Sequence, residues 1–264
     1  MESDRKKWVR DRYSEIAAGA QAGCGCTSCD CDSASATAKE VGYDTDDLGS
    51  VPEGANLGLG CGNPVAIASI REGETVLDLG SGAGLDVFLA AQRVGKQGRV
   101  IGVDMTPEMI EAARRNAAVS GHDNVEFRQG DIEALPVDSG SVDLVISNCV
   151  LNLVPDKPKA FAEIYRVLKP GGRIAVADIV LDGPLPDCLT NDTAAYTSCI
   201  SGAVSRSEYL GGLGQAGLVD IRVESEADAA GLLSGDCCGE GFRLPHGLAT
   251  SVKVTGRKPS GAAD

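Results

Sequence analysis

Aromatic side chains are scarce in this chain: 264 residues carry one tryptophan, five tyrosines and four phenylalanines. So few rings leave little surface for stacking nucleobases. Basic residues are outnumbered 24 to 38 by acidic ones, for a formal net charge of −14 and an isoelectric point near 4.6. Such a surface repels a phosphate backbone, so no nucleic-acid partner is expected, and the excess acid chiefly serves solubility. Long apolar runs are missing as well. None approaches the span of a membrane helix, and Met1-Glu2-Ser3-Asp4-Arg5-Lys6-Lys7 has no apolar core behind it of the kind a signal peptide needs. No membrane association is expected, and the expected location is cytoplasmic. Histidine is limited to His122 and His246, both in loop-like contexts that read as surface rather than as metal ligands.

Cysteine, by contrast, is abundant, with ten residues. In a reducing compartment these do not make a static disulfide framework; they read as reactive, metal-binding or redox-cycling thiols. The hydrophobic fraction of 43% is ample for a full core and excludes global disorder.

The chain reads as alternating strands and helices. Arg5 to Ile16 is helix-compatible, residues 23 to 33 form a thiol-rich loop, and residues 34 to 41 suit a short helix. Residues 51 to 64 are too glycine-rich for regular structure, and Val65 to Ile70 suits another short helix. Strands follow at Thr75 to Leu79, Arg99 to Val103, Val125 to Gln129, Val142 to Ser147 and Arg173 to Val180. Helices are predicted at Leu85 to Val94, from an N-cap at Thr106 with Pro107 in the first turn to about Ser120, and at Lys159 to Leu168, ended by Pro170-Gly171-Gly172. After Leu181 the pattern changes to a loop-and-helix insert, a helix at Glu208 to Gln215, and two late strands at Val219 to Glu224 and Ser251 to Thr255. Strands alternating with helices imply an α/β, Rossmann-like doubly wound sheet, mostly parallel, with a late antiparallel strand.

Cys149 closes the buried run Val142 to Asn148. In open α/β sheets ligands bind beyond the carboxyl ends of the strands, so a thiol at that edge faces a reacting centre. Cys61 and Cys199 are isolated likewise, and only the fold can bring the three together. They lack the local pair spacing of a zinc site, and thiolates select soft acceptors. Three sulfurs with no fourth protein ligand suit a trigonal ion that keeps a lone pair. Cys188 reads as structural. The compact Cys24, Cys26, Cys29, Cys31 cluster is a candidate zinc binder of unusual spacing, and Cys237-Cys238 is either an exposed thiol pair or a capture site. Asp143 and Asp178 border strands and read as solvent or cap contacts.

The first strand runs through Asp78 into Gly80-Ser81-Gly82-Ala83-Gly84 and then a helix. Glycines allow a sharp turn and close approach to a ligand, and the helix N-terminus offers free N–H groups. Asp104, 26 residues after Asp78, ends the second strand, where a carboxylate can bridge ribose hydroxyls. The spacing is D-x-G-x-G-x-G rather than the dinucleotide G-x-G-x-x-G. It resembles the class I S-adenosylmethionine-dependent methyltransferases, as do Gly130-Asp131-Ile132-Glu133 and Arg166-Val167-Leu168-Lys169-Pro170-Gly171-Gly172. The resemblance implies S-adenosylmethionine as cofactor and a site of Asp78, Gly80, Ser81, Gly82 and Gly84. Asp104, Met105, Asp131, Ile132 and Asn148 complete it, with the segment Gly130 to Glu133 at the adenine-recognition position.

Three further segments narrow the resemblance. Gly54 to Pro64 around Cys61, Ile146 to Leu153 around Cys149, and Tyr196 to Ala203 around Cys199 look like the signature of arsenite methyltransferases. In that family the cysteines matching Cys149 and Cys199 bind trivalent arsenic, and the one matching Cys61 joins them or shuttles to a disulfide. The implied organisation is a Cys-rich N-terminal segment (1–50), an S-adenosylmethionine-binding domain (51–181) and an arsenic-binding region (182–264). The implied reaction is methyl transfer to thiol-bound arsenic, with arsenite and methylarsenicals as substrates. Reducing equivalents are expected from a cellular dithiol or thiol such as thioredoxin or glutathione, with Cys61 paired to one of Cys24, Cys26, Cys29 or Cys31 as the relay. Two rival readings are a methyltransferase of a small organic acceptor such as a quinone precursor and a non-catalytic As(III)- or zinc-binding thiol protein.

Overall fold

The computed structural model describes residues 2–19, 32–229 and 244–261. The chain opens with helices α1 (Glu2–Ala17), α2 (Asp32–Glu40), α3 (Thr45–Gly49) and α4 (Pro64–Ile67). The alternation follows: β1 (Thr75–Leu79), α5 (Leu85–Val94), β2 (Arg99–Asp104), α6 (Pro107–Ser120), β3 (Val125–Gln129), β4 (Val142–Asn148), α7 (Lys157–Val167) and β5 (Leu168–Leu181). Then come α8 (Asp187–Thr190), α9 (Thr193–Thr197), α10 (Arg206–Gln215), β6 (Val219–Asp228) and β7 (Ala249–Arg257). The strands form one seven-stranded sheet in the order β3-β2-β1-β4-β5-β7-β6, parallel except for β7, which runs antiparallel to both its neighbours. The expected architecture is therefore the observed one. β6 and β7, beyond residue 181, complete the same sheet as the strands before it.

The strands are apolar on both faces because helices cover both faces. Successive residues alternate between the two layers, as the two-residue period of a strand requires. Val76, Leu144 and Ile146 pack with Phe88 and Val87 of α5 and Ile110 of α6. Leu77 and Val145 pack on the other face with Phe161 and Ile164 of α7 and Leu213 of α10. A third apolar cluster sits at the carboxyl edge of the sheet and contains Cys61, Cys149 and Cys199.

Helix ends follow local chemistry. Asn63, Asp156, Asp192 and Ser205 accept backbone N–H bonds at the starts of α4, α7, α9 and α10. Thr106 occupies the N-cap of α6 but makes no side-chain cap bond. Asp104 Oδ1 instead accepts from the Thr106 N–H at 2.8 Å. Several boundaries differ from expectation by a few residues, most clearly at the start of β5, which begins at Leu168 rather than Arg173. α7 ends at Val167, and Pro170-Gly171-Gly172 lies inside the irregular start of β5, where pairing jumps from Val142–Leu168 to Leu144–Arg173. Proline disfavours helix in the residue before it, so the extra residues are absorbed as a strand irregularity.

After β1 the chain builds β2 and β3 on one side, then returns to place β4 on the other. The loops leaving β1 and β4 thus diverge, and a crevice opens at their carboxyl ends.

Candidate active site

That crevice encloses about 1060 Å³, open mouth included. Its floor is the β1–α5 turn. Gly80 and Gly82 have φ of +65° and +51°, which glycine adopts without penalty. The Gly80 and Ser81 N–H groups donate to the Val103 carbonyl at 2.8 and 3.0 Å, and Gly82 N–H donates to Asp104 Oδ2 at 3.0 Å. The crevice is lined by Asp78, Gly80, Ser81, Gly82, Asp104 and Met105, and beyond them by Asp131, Ile132, Asn148 and Cys149. Gly84 does not line it. It caps α5 at φ +103°, where a Cβ would lie 2.7 Å from the Phe88 ring, so its smallness serves packing. Burial, then the neighbouring Asp86 and Asp104, hold the Asp78 carboxyl well above the usual range. Burial also raises Asp104. Ser81 Oγ is buried with no hydrogen-bond partner.

The three cysteines share one apolar cluster beside this crevice. Cys61 and Cys149, 88 residues apart, are joined as a disulfide with their Cα atoms 5.6 Å apart. Cys199 is a free, buried thiol whose S–H donates to the Cys149 carbonyl oxygen at 2.6 Å. Burial, then the nearby Asp178, push the Cys199 thiol well above its usual range, which keeps its proton on. The partner expected for Cys61 was a thiol of the Cys24–Cys31 cluster; the structure pairs it with Cys149 because the 56–63 segment crosses the end of β4. The Cys24–Cys31 cluster and Cys237-Cys238 lie outside the described residues, and Cys188 takes no part in the three-cysteine site. Cys149 and Cys199 both have left-handed backbones, φ +57° and +64°, unusual for a residue with a side chain. Such strain persists only where surrounding structure enforces it, often at functional sites.

Several residues at the site carry no announcement in the sequence. α1 lies over the crevice. Its Lys6 donates to Asp131 Oδ2 at 2.7 Å and Glu133 Oε2 at 2.6 Å, and Val9 and Tyr13 line the cavity. Burial opposes the Lys6 charge, but the two carboxylates outweigh it and raise its pKa. Trp8 meets Tyr196 edge to face at 6.3 Å, roofing the thiol cluster with aromatic surface. The only tryptophan and an early tyrosine within one helix are the available hint. Asp178 is a correction. It is 1% exposed inside β5, and its carboxylate lies within 4.8 Å of both Cys61 and Cys149 sulfurs. Tyr209 of α10 donates to its Oδ2 at 3.2 Å. Burial pushes its carboxyl up to about 7, against hydrogen bonds and the field of Lys157. Asp143 fits its reading better, accepting from the Thr75 N–H at 2.9 Å and from Lys169 at 2.7 Å. Among the described residues no helix is long and apolar enough to cross a membrane.

Comparison with known proteins agrees with this geometry. Residues 70–221 match a family of methyltransferase domains. An arsenic(III) S-adenosylmethionine methyltransferase of Chlamydomonas reinhardtii, known from its crystal structure, superposes with a TM-score of 0.64 at 32% identity, covering 86% of this chain and 74% of that one. The chain belongs to the arsenite methyltransferase family. An arsenite methyltransferase of Halobacterium salinarum is 48% identical over 87% of this chain. One of Aquipseudomonas alcaligenes is 41% identical over 60% of it. The chain spans 61% and 47% of those two relatives' lengths.

Proposed function

We propose that this protein methylates trivalent arsenic held by its own thiols, drawing the methyl group from S-adenosylmethionine. The observation that carries the proposal is the meeting of Cys61, Cys149 and Cys199 at one sheet edge, with Cys149 also lining the carboxylate-rich crevice. The crevice suits that cofactor. Its carboxylates favour a ligand with a cationic end and would repel a pyrophosphate, and Ser81 Oγ awaits a polar partner.

When bound, the cofactor supplies an electrophilic methyl on a sulfonium sulfur. Asp78 would hold its amino-acid end, Asp104 its ribose hydroxyls and Asp131 its adenine. The apolar thiol cluster under α1 excludes water and orients the substrate. Arsenic bound by Cys149 and Cys199, with Cys61 in reach, keeps a lone pair. That pair forms the As–C bond while the methyl–sulfur bond breaks and its electrons leave with sulfur. Arsenic is thereby formally oxidised from the trivalent to the pentavalent state. Two electrons return when the Cys61 thiol loses its proton and attacks the Cys149 sulfur: the S–S bond forms, the As–S bond to Cys149 breaks, and its electron pair stays on arsenic, which becomes trivalent again. A cellular dithiol reopens the disulfide by exchange, becoming a disulfide itself.

The test is arsenic speciation by mass spectrometry after incubation of the purified protein with arsenite, S-adenosylmethionine and glutathione. Methylated arsenic is expected from the wild type and none from Cys149→Ser, with S-adenosylhomocysteine binding retained. A Cys149→Ser protein that still methylates arsenite, or a wild type that binds arsenite without turnover, contradicts the proposal.

A further inference from the structure

Asn148 touches both halves of the site. It ends β4, lines the crevice and precedes Cys149. Its Oδ1 accepts from the Cys61 N–H at 3.1 Å. Its Nδ2 lies in donor range of the Gly62 carbonyl at 2.7 Å, the Tyr43 hydroxyl at 2.8 Å and Asp86 Oδ2 at 3.3 Å. Tyr43 donates its own hydroxyl hydrogen to Asp86 Oδ1 at 2.7 Å. Tyr43 and Asp86 are buried, and Asp86, in the first turn of α5, also lines the crevice. The segment that carries Cys61 forms a crevice wall just before it, from Asn56 to Gly60. The wall has no slack. A Cβ on Gly60 would stand 2.6 Å from Asn148 Nδ2, and one on Gly62 would stand 2.5 Å from the Ala177 Cβ. The placement of Cys61 and the shape of the wall are therefore set by the same amide.

We propose that Tyr43 and Asp86 are positioning residues that, through Asn148, couple the state of the Cys61–Cys149 pair to occupancy of the cofactor crevice. The inference rests on the cofactor assignment above and adds an order to the cycle. With the disulfide closed, the wall is pinned at Cys61 and the crevice is preorganised, so an adenosyl ligand binds more tightly. With the pair reduced, the wall is freed at that end. Reduction moves two electrons and two protons from a dithiol to the Cys61–Cys149 bond and leaves the dithiol oxidised. Linkage is reciprocal, so a ligand in the crevice resists that opening by the same factor. The reductant therefore acts preferentially on protein that has released its spent cofactor.

Isothermal titration with S-adenosylhomocysteine reads the coupling as a ratio of two Kd values, one for the oxidised full chain and one after reduction with a phosphine. The oxidised chain is expected to bind about tenfold more tightly, within the range usual for coupled sites. In Tyr43→Phe and in Asp86→Asn the ratio falls close to one. A merely structural defect would weaken both states alike and leave the ratio intact. Cys61→Ser cannot form the bond, so its Kd must be indifferent to reduction, which separates this pair from the other cysteines. Gly60→Ala drives a methyl into Asn148 without touching Tyr43 or Asp86 and must also abolish the ratio. A wild-type ratio of one, or a ratio that survives in Tyr43→Phe or in Gly60→Ala, overturns the coupling while leaving methyl transfer intact. Failure of both redox states to bind S-adenosylhomocysteine would instead overturn the cofactor assignment itself, and the coupling with it.

Discussion

Replacing Asp178 by asparagine is expected to stabilise the protein at alkaline pH and to change little at acid pH. Asp178 is 1% exposed, and burial raises its carboxyl from the usual 3.8 to about 7. In the unfolded chain it returns to the usual value. A raised folded pKa means that the folded state binds the proton more tightly. The stability this gives is complete below about pH 4 and is lost as pH climbs towards 7. Above pH 7 the full cost of a buried carboxylate applies. The interval from 3.8 to about 7, at about 1.36 kcal/mol per pKa unit, makes that cost about 4 kcal/mol. Asparagine has the same shape and no charge. Its carbonyl can still accept from the Ile179 N–H, 3.1 Å away, and its amide can donate to the Tyr209 hydroxyl. Lys157 keeps its bonds to the Asn152 and Val154 carbonyls, at 3.3 and 3.2 Å. Urea unfolding of the unreduced protein, followed by far-ultraviolet circular dichroism at several pH values, gives the difference between D178N and wild type. The difference should grow by about 4 kcal/mol between pH 4 and pH 8. A flat difference would refute the reasoning, because it would mean that the carboxyl ionises as readily in the fold as in the unfolded chain.

Two further outcomes are expected. Gly80→Ala places a side chain at φ +65°, with its Cβ 2.5 Å from Val150. The left-handed backbone alone costs about 1–2 kcal/mol, so S-adenosylhomocysteine binding should weaken about tenfold or more. Wild-type affinity by titration calorimetry would show that the turn does not shape the ligand site. The pH dependence of that affinity probes the carboxylates. Burial holds Asp86 at about 6 and raises Asp78 and Asp104, and an ammonium group is held by ionised acids. Affinity should fall on acidification below pH 6, by about tenfold per pH unit for each carboxylate that must ionise. An affinity that rises on acidification contradicts the carboxylate cradle.

Much of the fold and part of the site follow from local rules. The two-residue alternation in Val76-Leu77 and Val142 to Ile146 is enough to place β1 and β4, and D-x-G-x-G-x-G is enough to place the turn over which the crevice forms. Cys149 is legible too, since a thiol at the end of a buried parallel strand has one edge to face. Other features depend on chain segments that no local pattern connects. Whether Cys61 meets Cys149 or an N-terminal thiol depends on where the 56–63 segment crosses β4. Lys6 reaches Asp131 across 125 residues, from a polar helix in which only Trp8 and Tyr13 hint at docking. Alternation puts Asp178 on one face of β5, but it is the arrival of distant segments, Tyr209 on α10 and the Cys61–Cys149 pair, that makes its surroundings dry. Backbone preference and periodicity act over a few residues and are written in the sequence directly. Contacts between distant segments depend on sheet order and on which faces are covered, and the tertiary packing of the whole chain decides those.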